Sequence, residues 1–194
     1  VASAIHQQYL PKFAGDTLPD TPTGQALAIA DRLDTLVGLF GINQPPTGSK
    51  DPFALRRATL GVLRILVERR LDLDLRPLLI EAANNFTALP ARDGLEDRVL
   101  EFMLDRFRAW YADEGVPAEV FLAVKAQNPT SPLDFDHRIQ AVNHFRSLPQ
   151  AEALAAANKR VSNILSKQDV SQISSVDTNL LTEAPEQALF AELT

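Results

Sequence analysis

Five polar residues in an alanine-rich segment could together bind a nucleic acid. Asn158 and Asn163 carry amide groups that can hydrogen-bond to the edges of bases. Lys159 and Arg160 can neutralise backbone phosphates, and Lys167 extends this cationic face because it lies seven residues after Arg160. The competing interpretation is the solvated face of a packed helix, and the residue types taken alone favour it.

A second group of cations follows a loop that is rich in proline and glycine. Lys50 lies in this loop, and the segment after it carries Arg56, Arg57, Arg64, Arg69 and Arg70. Guanidinium groups suit phosphate well, but they also form structural ion pairs. The nearest acids that could compete for them are Asp31, Asp34 and Glu68. Lys50, in an exposed loop, is a stronger candidate for a phosphate contact than the arginines.

Four aromatic residues could stack on unpaired bases. Phe102, Phe107 and Trp110 have helical spacing, which is more typical of a packed core. Tyr111 is the one that we place near solvent. No glycine-rich phosphate loop, nucleophile elbow or metalloprotease motif is present, so the sequence offers no basis for nucleophilic catalysis.

The elements that would carry these residues are helices, because apolar residues recur with a period of 3.6 and no alternating run indicates a strand. We predict helices over residues 23–40, 51–70, 76–86, 95–114, 117–127, 134–147, 150–167 and 185–194. Residues 171–175 are typical of a flexible linker. The predicted fold class is therefore all-α, a helical bundle with two packed helical groups joined around residues 71–94.

The spacing also predicts which faces are buried. For the first long helix the inward residues would be Leu27, Ala30, Leu33, Val37 and Phe40. For the next they would be Phe53, Leu60, Leu63, Leu66 and Val67, with Asp51 as the N-cap and Pro52 in the first turn.

Composition and charge limit the classes of protein that fit. The 194 residues include no cysteine, which excludes disulfides and thiolate-bound metals and fits a reducing cytoplasm. The net charge of −6 is unusual for a nucleic-acid-binding protein, so any such site must be a local basic face. No segment has the ~18 apolar residues of a membrane span.

The sequence at both ends is typical of a helix that has been interrupted. We therefore expect the chain to be a piece of a longer one.

Three segments resemble the bacterial glycyl-tRNA synthetase beta subunit. The first is residues 30–68, where the matching positions include Asp31, Asp34, Gly38, Phe40, Gly41, Lys50, Asp51, Pro52, Phe53, Leu55, Arg56 and Arg57. Residues 102–124 and 132–165 are similar to the start of that subunit's anticodon-binding domain. The last also resembles the DALR-type domain of arginyl-tRNA synthetases, through Ala155, Asn158, Lys159, Arg160, Val161, Asn163, Ile164 and Leu165.

The resemblance covers nearly the whole chain and implies its domains and partners. Residues 1–75 would end an HD-like helical domain, and residues 76–194 would begin a DALR-type anticodon-binding domain. The partners implied are tRNA(Gly) and the alpha subunit of an α2β2 enzyme. That alpha subunit would use ATP and Mg²⁺ to form glycyl-adenylate, so we expect no cofactor and no catalytic residue here. The tRNA contacts expected are Lys50, Arg56, Arg57, Asn158, Lys159, Arg160, Asn163 and Lys167.

Two alternatives stay open beside tRNA binding. By the same resemblance, Asp31 or Asp34 would be the remnant of an HD phosphohydrolase metal site. Such a site also needs a histidine and a His-Asp pair upstream, and before Asp31 the sequence has only His6, without an adjacent aspartate. We therefore expect no metal. The other alternative is a helical module that docks onto another subunit.

Overall fold

The computed structural model describes residues 1–167 and 176–193, and in these residues it contains helices and no β-strand. The helices are α1 (Ala2–Gln7), α2 (Pro22–Gly41), α3 (Leu55–Glu68), α4 (Leu75–Asn84), α5 (Leu95–Asp113), α6 (Ala118–Lys125), α7 (Pro132–Arg146), α8 (Ala151–Leu165) and α9 (Ala184–Leu193), with a 3₁₀ turn at Thr178–Leu180. The predicted all-α fold is confirmed. The predicted linker at residues 171–175 lies outside the described residues.

The chain divides into two compact units, Val1–Phe145 and Arg146–Thr194, and each is considered by itself. In the first unit one continuous apolar core runs from Leu18 to Ile139 and takes in residues of α2 to α7. Helices on both sides of residue 75 therefore share a core. The structure does not test the assignment of residues 1–75 to an HD-like domain and of residues 76–194 to a DALR-type domain. This assignment stays a prediction.

In the first unit, side chains accept hydrogen bonds from backbone amides at the starts of α2 and α3. Thr21 caps α2 by accepting from the Gly24 amide, at 3.1 Å. The Asp51 carboxylate accepts from the Leu55 and Arg56 amides, at 2.8 and 3.0 Å. Asp51 thus accepts from amides in the first turn of α3, but the helix begins at Leu55 and not at Pro52, so the N-cap residue is Ala54 and the predicted N-cap at Asp51 is wrong. The reason is Ala54, whose φ of 54° places it in the left-handed region, outside helical geometry.

The buried faces are partly those predicted. Leu33, Val37, Phe40, Leu63 and Leu66 are buried in the core. Leu27, Ala30 and Phe53 are exposed, so these three predictions are wrong. Ala28 and Ile29 are buried instead at the start of α2, where the helix is packed on several neighbours and a single stripe does not describe it. Phe53 precedes α3, so helical spacing does not apply to it.

The second unit has almost no buried residues among those described. In α8 the single buried residue is Ala151, at the start of the helix. Leu154, Val161, Ile164 and Leu165 form an apolar stripe along α8, yet their exposed fractions lie between 47% and 55%. An amphipathic helix ordinarily buries this stripe against a neighbour. Here the polar and the apolar faces of α8 are both open to solvent.

Candidate nucleic-acid interface

The strongest cluster of predicted contacts lies on one side of α8 and of the turn that follows it. Lys159, Arg160, Asn163 and Lys167 line a shallow depression together with Ala156 and Ile164. All four polar residues are exposed. Lys159, Arg160 and Lys167 form no hydrogen bond or ion pair with any residue that the structure describes. Three uncompensated positive charges therefore face solvent within about two turns of helix.

Asn158 does not belong to this cluster. It precedes Asn163 by five residues, which corresponds to about 140° around the helix axis. Asn158 lies instead beside the apolar stripe of α8, and in the sequence it falls between two residues of that stripe, Leu154 and Val161. A ligand that rests on the cationic side of α8 can reach Asn163 more readily than Asn158.

The predicted contacts in the first unit differ in how free they are. Lys50 is exposed in a turn whose backbone is closed by a Thr47–Lys50 bridge. The Arg56 guanidinium donates to the Gly48 carbonyl at 2.5 Å, which attaches α3 to the same turn. Arg57 is exposed and has no hydrogen bond or ion pair within the described part of the chain. Arg57 is thus available for a ligand, and Arg56 is partly engaged.

The competing ion-pair interpretation applies to one arginine of this group. The Arg64 Nε lies 2.6 Å from the Glu68 Oε1, and Arg64 also donates to the Asp16 carbonyl. Asp31 and Asp34 are exposed on α2 and make no ion pair with the residues described. The arginines of α3 are therefore not neutralised by those two acids.

A buried cation that the sequence analysis did not single out anchors the segment before α2. Arg32 donates from Nη1 to the carbonyls of Gln8 and Ala28, at 2.8 and 2.9 Å, and from Nη2 to those of Tyr9 and Pro11, at 3.2 and 3.1 Å. Burial lowers the pKa of Arg32, and the nearby Asp31 charge partly offsets this. Arg32 holds the segment after α1 against α2, so its role is structural.

One of the four aromatic assignments is reversed by the structure. Tyr111 is buried, and its hydroxyl donates to the Asp136 Oδ1 at 2.7 Å, so its predicted exposure is wrong. Burial and the Asp136 carboxylate raise the pKa of Tyr111. Trp110 is half-buried and Phe107 is fully buried. The hydrogen bond to Asp136, on α7, explains why a tyrosine can be buried at this position.

The described residues contain no group of three or more His, Asp or Glu that could hold a metal ion. In the same residues, no helix is both long enough and apolar enough to cross a membrane.

The chain has close relatives among known proteins. Residues 1–126 match the family model described as "Glycyl-tRNA synthetase beta subunit". This chain belongs to that family. A glycine–tRNA ligase beta subunit of Marinobacter nauticus is 59% identical over 194 residues, and one of Chromohalobacter salexigens is 61% identical over 193 residues. Each alignment covers 100% of this chain and 28% of the relative.

The two kinds of comparison cover different parts of this beta-subunit chain. The family model ends before α7 and α8, at residue 126. The alignment with the Marinobacter relative continues through residue 194 and so includes the cationic side of α8. The whole chain thus has close counterparts in beta subunits, although it spans little more than a quarter of their length.

Proposed function

We propose that this chain is a tRNA-binding part of a glycyl-tRNA synthetase beta subunit. In this proposal it acts in the cytoplasm and supports attachment of glycine to tRNA(Gly) by an α2β2 enzyme whose alpha subunit uses ATP and Mg²⁺. The observation that carries the proposal is the cationic side of α8, with Lys159, Arg160 and Lys167 exposed and unpaired in the described structure.

Physical chemistry favours phosphate as the ligand of this side of α8. Three cations in about two turns repel one another and attract a polyanion, and phosphate contacts release counterions. The chain carries a net charge of −6, so binding through its overall charge is not expected. Binding must therefore depend on local cationic faces, and replacing a few residues of this one should weaken it.

Asn163 is the residue that we propose to reach a base. It lies on the cationic side of α8, and its amide can donate to and accept from a base edge. Contacts to bases discriminate between sequences, whereas contacts to phosphates strengthen binding to all of them. Asn163 should therefore matter most for the cognate tRNA, and Asn158 should matter less.

The test is the affinity for tRNA(Gly) of a variant with both Lys159→Ala and Arg160→Ala. We expect weaker binding and a shallower dependence on salt, by about one unit of log–log slope for each lost phosphate contact. A variant with Arg70→Ala and Arg108→Ala loses the same charge at exposed, unpaired positions elsewhere and is the matched control. Equal affinities and equal slopes for both variants would contradict the proposal.

The base contact is tested by comparing Asn163→Ala with Asn158→Ala. Asn163→Ala should weaken binding of tRNA(Gly) more than binding of a non-cognate tRNA. Asn158→Ala, on the other side of the same helix, should change both by little. Equal losses for both tRNAs would remove Asn163 from base recognition and leave the phosphate contacts in place.

A subunit-docking module is the second candidate, and one observation favours it. The apolar stripe of α8 is exposed, and such a stripe commonly binds another protein surface. The two functions are separable, because tRNA would bind the cationic side and a protein the apolar side. Binding of the alpha subunit without binding of tRNA would favour docking.

The proposal also predicts that this chain alone does not catalyse glycine-dependent ATP–pyrophosphate exchange. Its sequence has no phosphate-cradling loop and no acyl-transfer motif. Exchange by a preparation free of alpha subunit would contradict this part of the proposal.

A further inference from the structure

Two neighbouring depressions on the first unit share one residue, Arg57. The first, of about 520 Å³, is lined by residues that include Tyr9, Lys12, Phe53 and Arg57. The second, of about 720 Å³, includes Phe13, Arg57, Arg106 and Trp110. Arg57 lines both, so the two depressions adjoin at this residue, and we call them together the Arg57 surface.

The Arg57 surface is positive although the chain is negative. Its lining contains six cationic side chains and two carboxylates, those of Asp31 and Asp113. The whole chain carries a net charge of −6. A local excess of positive charge on a negative protein concentrates anions at that place.

Not all of these cations are free to bind a ligand. Arg32 is engaged with backbone carbonyls, and Arg64 pairs with Glu68. The Lys12 and Arg57 side chains make no hydrogen bond or ion pair with the described residues, although the Lys12 charge acts on the nearby Asp16 carboxylate. Arg106 is half-buried, and its Nε is buried without a partner in the described structure. A ligand can therefore reach Lys12 and Arg57 without displacing a hydrogen bond or an ion pair within the described residues.

Aromatic rings lie open beside these free cations. Tyr9, Phe13 and Phe53 have exposed fractions of 58%, 61% and 48%. Trp110 is half-buried, and its Nε1 donates to the Glu114 carboxylate at 2.5 Å. Exposed rings of this size are costly in water and are commonly covered by a ligand. Rings next to cations are the combination that binds unpaired nucleotides, through stacking and phosphate contacts.

We propose that the Arg57 surface binds single-stranded RNA, with bases stacked on its exposed rings and phosphates held by its free cations. The inference rests on the proposed function, because it assumes that the chain binds RNA, and it adds a second contact region of stated chemistry. A duplex is disfavoured, since its bases are stacked on each other and their faces are not available to the rings. An acidic peptide would satisfy the cations but not the faces of the rings.

Trp110 provides a direct readout, because it is the only tryptophan of the chain and it lines this surface. The probe is a short oligoadenylate RNA, fluorescently labelled for anisotropy and unlabelled for measuring tryptophan emission. We expect the single strand to change Trp110 emission over the same concentrations at which anisotropy reports binding. The same RNA in a duplex should change the emission much less.

Single replacements should then weaken this signal. Arg57→Ala or Phe13→Ala should reduce the affinity for the single strand by about 5- to 100-fold, the range expected for loss of one stacked base or one charged contact. Arg57→Lys should retain part of the affinity. Arg108→Ala and Phe145→Ala are the matched controls, exposed on the same unit but outside the Arg57 surface. Thermal unfolding by circular dichroism checks that each variant keeps its fold.

The possible outcomes separate this inference from the proposed function. RNA binding without any change in Trp110 emission would overturn the Arg57 surface and leave binding at α8 intact. Absence of oligoadenylate binding by anisotropy, in a protein that still binds tRNA(Gly), would overturn the Arg57 surface alone, whereas absence of tRNA(Gly) binding would overturn the proposed function. A response to polyglutamate as strong as the response to RNA would overturn the assignment to RNA. The variant with Lys159→Ala and Arg160→Ala loses cations of α8 but keeps the Arg57 surface. If the two contact regions are separate, this variant should keep the Trp110 response to RNA.

Discussion

Helices with similar amphipathic patterns have different fates in the two units. In the first unit, α2 buries Leu33, Leu36 and Val37 in a core that it shares with five other helices. In the second unit, α8 carries an equally clear apolar stripe, and that stripe is exposed. The period of a sequence thus indicates which side of a helix is apolar, but burial requires a partner helix to cover it.

The same contrast separates the two candidate RNA contacts. Lys159 and Arg160 lie on α8, and Lys167 lies in the turn directly after it, so their spacing in the sequence is enough to find them. The Arg57 surface combines the segment after α1 with α3 and α5, and it exists only because these segments pack together. Folding of the first unit should therefore control the second contact but not the first.

The largest expected effect is on stability and compares two leucines. Leu36→Ala should lower the free energy of unfolding of the first unit by about 2–5 kcal/mol, because it leaves a cavity in the core. Leu154→Ala on α8 should change stability by about 0.5 kcal/mol or less, as expected for an exposed position. Denaturant unfolding followed by circular dichroism measures both. Equal losses would mean that α8 is packed, which would break the comparison.

A smaller effect is expected where α3 approaches Arg32. A Cβ added at Gly61 would lie 2.8 Å from the Arg32 Nε, and Arg32 is fixed by hydrogen bonds to carbonyls. Gly61→Ala should therefore cost roughly 1–3 kcal/mol, as overpacking does. In a helix without this contact the same change would gain about 1 kcal/mol. The sign of the change in a thermal unfolding experiment decides between the two.

The smallest effect concerns the helix ends. Asp51→Ala should cost about 1 kcal/mol, because it leaves the Leu55 and Arg56 amides without their acceptor. Gln150, at the N-cap of α8, makes no capping hydrogen bond, and Gln150→Ala is the matched control in the second unit. Unfolding free energies of the two variants test the difference. A loss for Gln150→Ala as large as that for Asp51→Ala would contradict it.

Much of the fold could be predicted from the sequence, because helical periodicity and capping are local. Helix bounds agree to within a few residues, and Asp51 was correctly expected to act at the start of α3, although the N-cap residue is Ala54. Tyr111 could not be placed, since the acceptor of its hydroxyl is 25 residues away in sequence. Phe53 was misplaced because one residue with positive φ moves the start of α3 beyond it. Errors arose where tertiary contacts or single backbone angles decide the outcome.

The candidate contacts divide in the same way. Lys159, Arg160, Asn163 and Lys167 share a face as their spacing requires. Asn158 was grouped with them by residue type, although its position in the helical period puts it on the apolar side. Arg106, with its unpartnered Nε, could not be identified from its sequence neighbours. Chemistry on one helix could be predicted, and chemistry assembled from separate segments required the structure.

The central claim is that a chain with a net charge of −6 binds tRNA through local cationic faces. The most direct measurement is its affinity for tRNA(Gly) over a series of salt concentrations. Three phosphate contacts on α8 predict that the logarithm of the association constant falls against the logarithm of salt concentration with a slope of about −2 or steeper. No binding at low salt, or an affinity that does not change with salt, would contradict the account.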